Sequence, residues 1–117
     1  NVLTVSGWLD RYLVSQEPHA SSELRKKLFF SNLYDFAYLV YRDEFWSKQI
    51  LQVYMNYQGD AELVCLMGDQ KIVLGSLGSP KVKLEKLKKY YEEVVSKVGW
   101  TKYQEVNLKF ENQIVCK

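Results

Sequence analysis

Two Gly-Asp pairs constrain what this chain can fold into more than any other feature. Gly59-Asp60 and Gly68-Asp69 cut the apolar stretch 50–74 into three short runs, 50–57, 61–67 and 71–74. The runs are rich in Val, Ile, Leu and Tyr and end in turn residues, so each is predicted to be a strand. Turns this short join antiparallel neighbours. In the first run Ile50, Gln52, Tyr54 and Asn56 alternate with Leu51, Val53, Met55 and Tyr57. A meander with one apolar face needs another layer to cover it.

Two helical patterns can supply that layer. The first starts near Ser21 or Ser22, either of which can cap free N–H groups. It carries Leu24, Leu28, Phe29, Phe36, Leu39 and Val40 at roughly helical spacing, to about Tyr41. Asp43-Glu44-Phe45-Trp46 follows as a last turn or a short separate helix. The second pattern opens with Ser79 as a candidate cap and Pro80 at the first helical position. It sets Leu84, Leu87, Tyr91, Val94 and Val98 on one face and stops at Gly99. Residues 2–5 are predicted to form a short strand, and 8–20 to be irregular around Pro18. The chain closes with strands near 104–110 and 113–116 and a tight turn at Glu111-Asn112. The order helix, meander, helix, hairpin predicts an α+β domain over 1–117. Its sheet would be mostly antiparallel, with two main helices packed on one face and a C-terminal hairpin.

Composition is that of an ordinary folded domain, with 47% hydrophobic and 26% charged residues. A net charge of +2 argues against a dedicated nucleic-acid binder. The basic start of the second helix (Lys81, Lys83, Lys86, Lys88, Lys89) reads first as a solvated face, and second as a contact for acidic partners or anionic headgroups. No stretch is long and apolar enough to span a membrane. The sequence opens on Asn1 rather than Met and shows no signal peptide, so it reads as a piece of a longer protein.

Catalytic patterns are sparse. His19, the single histidine, neighbours Pro18, and nothing fixes it as a triad base. Cys65 and Cys116 lack the close Cys/His spacing of a metal site, so no metal or cofactor is expected. They read as small apolar strand residues, and whether they pair is open at this level. The connection 75–79 lacks the Lys-Ser/Thr ending of a phosphate-binding loop. Tyr34, Phe36, Tyr38, Tyr41, Phe45 and Trp46 crowd more than one side of the first helix. Some of them must therefore face outward as interface anchors. A chain that ends on a strand often ends on a sheet edge, and an edge accepts a strand from another chain.

The terminal run Val98-Gly99-Trp100, then Val106-Asn107-Leu108-Lys109-Phe110 through Cys116, resembles the C-terminal end of FtsQ/DivIB cell-division proteins in their Bacteroidetes-type form. Leu33-Tyr34-Asp35-Phe36, Asp43-Glu44-Phe45-Trp46 and Ile72-Val73-Leu74-Gly75 fall where that family has similar stretches. The resemblance implies the β domain of a bitopic inner-membrane protein, with its anchor and POTRA domain outside this sequence. It implies a periplasmic, non-enzymatic scaffold of the divisome at the septum. FtsB/FtsL-like partners would be held by strand addition at the last strand. Carried over by position, the partner-binding residues are Phe110, Glu111, Asn112, Gln113, Ile114, Val115, Cys116 and Lys117. Phe110 stands where a Tyr is familiar, and the Trp found just beyond the last strand has no counterpart in the sequence as given. Lys109 and Lys117 would guard the unbound edge. The rival reading is a peptidoglycan- or ligand-binding module with an aromatic groove near Tyr34, Tyr38, Trp46 and Tyr54. A cysteine nucleophile at Cys65 or Cys116 is the third reading, and it lacks a histidine partner.

Overall fold

A computed structural model describes residues 3–111 and 113–117. Their six strands form one sheet in the order β1-β2-β3-β4-β5-β6. The strands are β1 Thr4–Gly7, β2 Ile50–Met55, β3 Ala61–Cys65, β4 Lys71–Gly75, β5 Glu105–Asn107 and β6 Val115–Cys116. The meander β2-β3-β4 is antiparallel, and so is the hairpin β5-β6. The sheet as a whole is mixed, because β1 runs parallel to β2 and β5 parallel to β4. The expectation of a mostly antiparallel sheet is corrected here. Parallel neighbours need a long crossover, and the helical segments between β1 and β2 and between β4 and β5 provide one.

The helices are α1 Leu9–Gln16, α2 Ser22–Arg42, α3 Trp46–Gln49 and α4 Pro80–Tyr90. The region read as irregular thus contains α1. Its apolar residues are few, but Tyr12 and Leu13 are both buried. The Tyr12 hydroxyl accepts a hydrogen bond from the Leu77 N–H at 2.8 Å, which ties α1 to the loop after β4. Ser21 caps α2 by accepting from the Leu24 N–H. Asp43 does the same for α3, accepting from the N–H groups of Phe45 and Trp46. Ser79 does not cap α4 through its side chain. It sits in the left-handed region at φ 51°, and Pro80 after it has no N–H to satisfy.

One layer of core lies between sheet and helices. Val53, Met55, Leu63, Ile72, Leu74 and Val106 point into it from the strands. Phe29, Phe36, Val40, Trp46, Leu84, Leu87 and Tyr90 meet them from the helices. A register shift between Ile50 and Gln52 turns Ile50 inward with Val53 and Met55 and leaves Leu51 exposed. The simple alternation expected for β2 fails at this bulge, which places two residues against one. The opposite face of the sheet carries ion pairs among apolar residues such as Val64 and Val73: Lys71 pairs with Glu62 at 3.5 Å, and Lys117 with Glu105 at 3.9 Å.

The last helix departs from its expected face. A π-helical turn, Tyr91–Val95, joins α4 to a final turn Ser96–Val98 (α5). The wider turn inserts a residue into the helical repeat. Tyr90 is buried three residues after Leu87, and past the wider turn Val95 is buried, Val94 half-buried and Val98 exposed; Tyr91 is half-buried. Gly99 then leaves the helix at φ 83°, which glycine adopts without a side-chain clash.

Candidate partner-binding edge

Among the described residues β6 is an edge strand, with β5 on one side and no strand on the other. Glu105 and Lys117 exchange both backbone hydrogen bonds, at 3.0 and 3.2 Å. In an antiparallel ladder such exchange recurs at every second residue. The backbone groups of Val115 and Lys117 are thus turned toward β5, and those of Ile114 and Cys116 face the free edge. The edge is shorter than expected, since β5 ends at Asn107 and β6 covers only Val115–Cys116.

Residues 108–111 and 113–114 connect the two strands as loop, around the tight turn expected at Glu111-Asn112. Asn112, expected in that turn and in the binding set, lies outside the described residues. Phe110 does not end β5; it stands in this loop with its side chain 47% exposed. Glu111 and Gln113 are exposed beside it. Ile114 and Cys116 face inward and pack against the core, while Val115 is half-buried. Structure therefore brings the expected residues other than Asn112 to one end of the sheet but divides them by side: Ile114 and Cys116 inward, Phe110 outward.

Lys86 is the residue that sequence reading grouped with a solvated face. Its ammonium donates to the carbonyl oxygens of Leu108 at 3.2 Å, Gln113 at 3.4 Å, and Phe110. One side chain from α4 thereby gathers three carbonyls of the loop that presents β6. No local sequence signal pointed to it, because the acceptors are backbone atoms more than twenty residues away. Lys109, expected as an edge guard, instead reaches Asp60 at 3.2 Å. Lys117, the other expected guard, follows β6 and reaches Glu105 at 3.9 Å.

The aromatic groove of the rival reading is only half assembled. Tyr34 and Tyr38 stack at 6.2 Å between ring centroids and line a groove of about 560 Å³ with Leu3, Tyr41 and Leu51. Trp46 is buried in the core, and Tyr54 faces the other side of the sheet alongside Gln52 and Ser6. Cys65 fits a nucleophile poorly, since burial pushes its thiol up to about 11. A thiolate is the reactive form, and this group stays a thiol at neutral pH. Among the described residues no cluster of His, Cys, Asp and Glu is arranged to hold a metal.

The chain matches the family model described as FtsQ/DivIB, C-terminal related, over residues 9–117. It belongs to the FtsQ/DivIB C-terminal related family. The match covers every element from α1 to β6, so family and fold describe the same unit. No curated protein matches the chain. Membership places this FtsQ/DivIB-related domain in cell division, in a family of non-enzymatic scaffolds whose proteins are membrane-anchored with a periplasmic domain. No helix among the described residues of the domain is long and apolar enough to cross a membrane.

Proposed function

We propose that this domain is a divisome scaffold that binds a partner by strand addition at β6, with FtsB/FtsL-like proteins as the partners. The observation that carries the reading is the free row of backbone groups at Ile114 and Cys116, at the end of a sheet in a cell-division family. Main-chain pairing supplies affinity of a general kind, and side chains beside the edge supply selectivity. Phe110 is exposed next to that edge, as an aromatic anchor would be before its partner arrives. The whole protein would sit in the inner membrane, with this domain in the periplasm at the septum.

The test is calorimetric titration with the extracytoplasmic segments of the FtsB- and FtsL-like proteins of the same organism. Phe110→Ala should weaken binding by ~2 kcal/mol, roughly thirtyfold, with the fold intact. A mutant that binds as wild type does removes Phe110 from the site. Proline at Val5, on the opposite edge strand β1, serves as the control and should leave binding unchanged. The second reading draws on the stacked Tyr34 and Tyr38: a ligand in that groove would change tyrosine fluorescence when peptidoglycan fragments are added, and no change removes it.

A further inference from the structure

The strand-addition reading leaves open which strands are accepted, and the flank of β6 bears on that choice. A groove of about 510 Å³ runs between the outer side of α4 and the free edge. Val82, Tyr90 and Val94 line it from the helical side among charged Glu85, Lys89 and Glu93, and Ile114 lines it from the strand side. A strand added to β6 continues the pleat, so every second side chain points to the helix-covered face. The inward residues of β6 and its approach are Ile114 and Cys116. Side chains of the newcomer beside Ile114 project into the groove, and those beside Cys116 lie on the same covered face.

Tyr90 gives the groove a polar requirement. Its side chain is 1% exposed, yet its hydroxyl has no hydrogen-bond partner among the described residues. Buried hydroxyls are nearly always paired, and an orphan calls for an explanation. Burial raises the pKa of this phenol first, and the Cys116 thiol and Tyr103 phenol raise it further. Tyr90 lines the groove together with Ile114, an inward residue next to β6, where a neighbouring strand's side chain arrives.

We infer that this groove selects the added strand by its inward side chains. An apolar residue sits beside Ile114 in this groove. Two positions along, a Ser, Thr or Asn beside Cys116 completes the missing hydrogen bond of the Tyr90 hydroxyl. The occupant is an extended segment of a partner protein carrying that alternation. The inference rests on strand addition at β6.

The experiment pans a displayed library of random nine-residue peptides on the 117-residue chain, followed by titration of matched Thr and Val peptides. Wild type should enrich the apolar–x–Ser/Thr/Asn pattern and favour Thr over Val by roughly three- to tenfold, the worth of one hydrogen bond. Tyr90→Phe should lose that preference while keeping its fold and its melting temperature, since it deletes a hydroxyl without a partner. Cys116→Pro removes a backbone donor on the free side and should abolish peptide binding. Amide exchange at Glu105 and Lys117 reports whether that variant keeps its hairpin. Binding blocked by Cys116→Pro but indifferent to Thr against Val overturns the inference and leaves strand addition standing. A Thr preference that survives Tyr90→Phe does the same. Binding that survives Cys116→Pro in a folded domain, or no enrichment at all, overturns both.

Discussion

Burial works against the charge on Lys83. Its ammonium is lowered to about 8 by burial first and by neighbouring Lys86, with Asp60 pulling the other way. It donates to the Ser76 hydroxyl at 2.8 Å and to the Ser76 carbonyl, so its place is fixed by the loop after β4. The unfolded chain holds this proton up to its ordinary value of 10.5, and the folded chain releases it near 8. The unfolded state therefore binds more protons between the two values, and stability from this group rises with pH across that window. Denaturant titrations should show wild type gaining on Lys83→Met as pH rises from about 8 to about 10.5. A difference that stays flat would mean that Lys83 titrates normally. Core residues follow a simpler rule. Phe36 is fully buried between α2 and the sheet, and Phe36→Ala should destabilise the fold by about 3–5 kcal/mol in the same measurement.

At the scale of elements, the hairpin β5-β6 depends on a helix remote in sequence. Lys86→Met keeps the length of the side chain and removes its three hydrogen bonds to the 108–114 loop. Charged hydrogen bonds are worth about 1.5–3 kcal/mol each when well buried, and less when exposed as part of this set is. Amide exchange at Glu105 and Lys117 should therefore quicken by about tenfold or more in Lys86→Met, with protection in β2, β3 and β4 unchanged. Equal loss everywhere would make Lys86 a support of the whole domain rather than of the edge. The same scale explains two misread elements. α1 carries only Tyr12 and Leu13 as buried residues, too few for periodicity to stand out beside Pro18. The π turn at Tyr91–Val95 moves burial from the expected Val94 to Val95, a shift invisible to a count at 3.6 residues per turn.

For the whole molecule, sheet order settles the cysteines. Cys65 in β3 and Cys116 in β6 are three strand spacings apart, about 14 Å at ~4.8 Å each, against a bridging limit near 7 Å between Cα atoms. Both thiols are free. A reducing agent should leave the melting temperature unchanged, and a fall on reduction would contradict the strand order. The sequence by itself determined what depends on neighbours in the chain. The turns at Gly59-Asp60 and Gly68-Asp69, the Ser21 cap, the long helices and the Gly99 stop are local choices of backbone and side chain. Chemistry of the termini pointed to the hairpin and the family. Tertiary structure decided what depends on partners far along the chain. Parallel pairing of β1 with β2 and of β4 with β5 comes from where the crossovers return. Tyr34 and Tyr38 are parted from Tyr54 by the sheet and from Trp46 by its burial in the core. Lys86 and Tyr90 gained their places at the edge only when α4 was laid over β5 and β6, because a side chain's partners across a core leave no periodic trace in sequence.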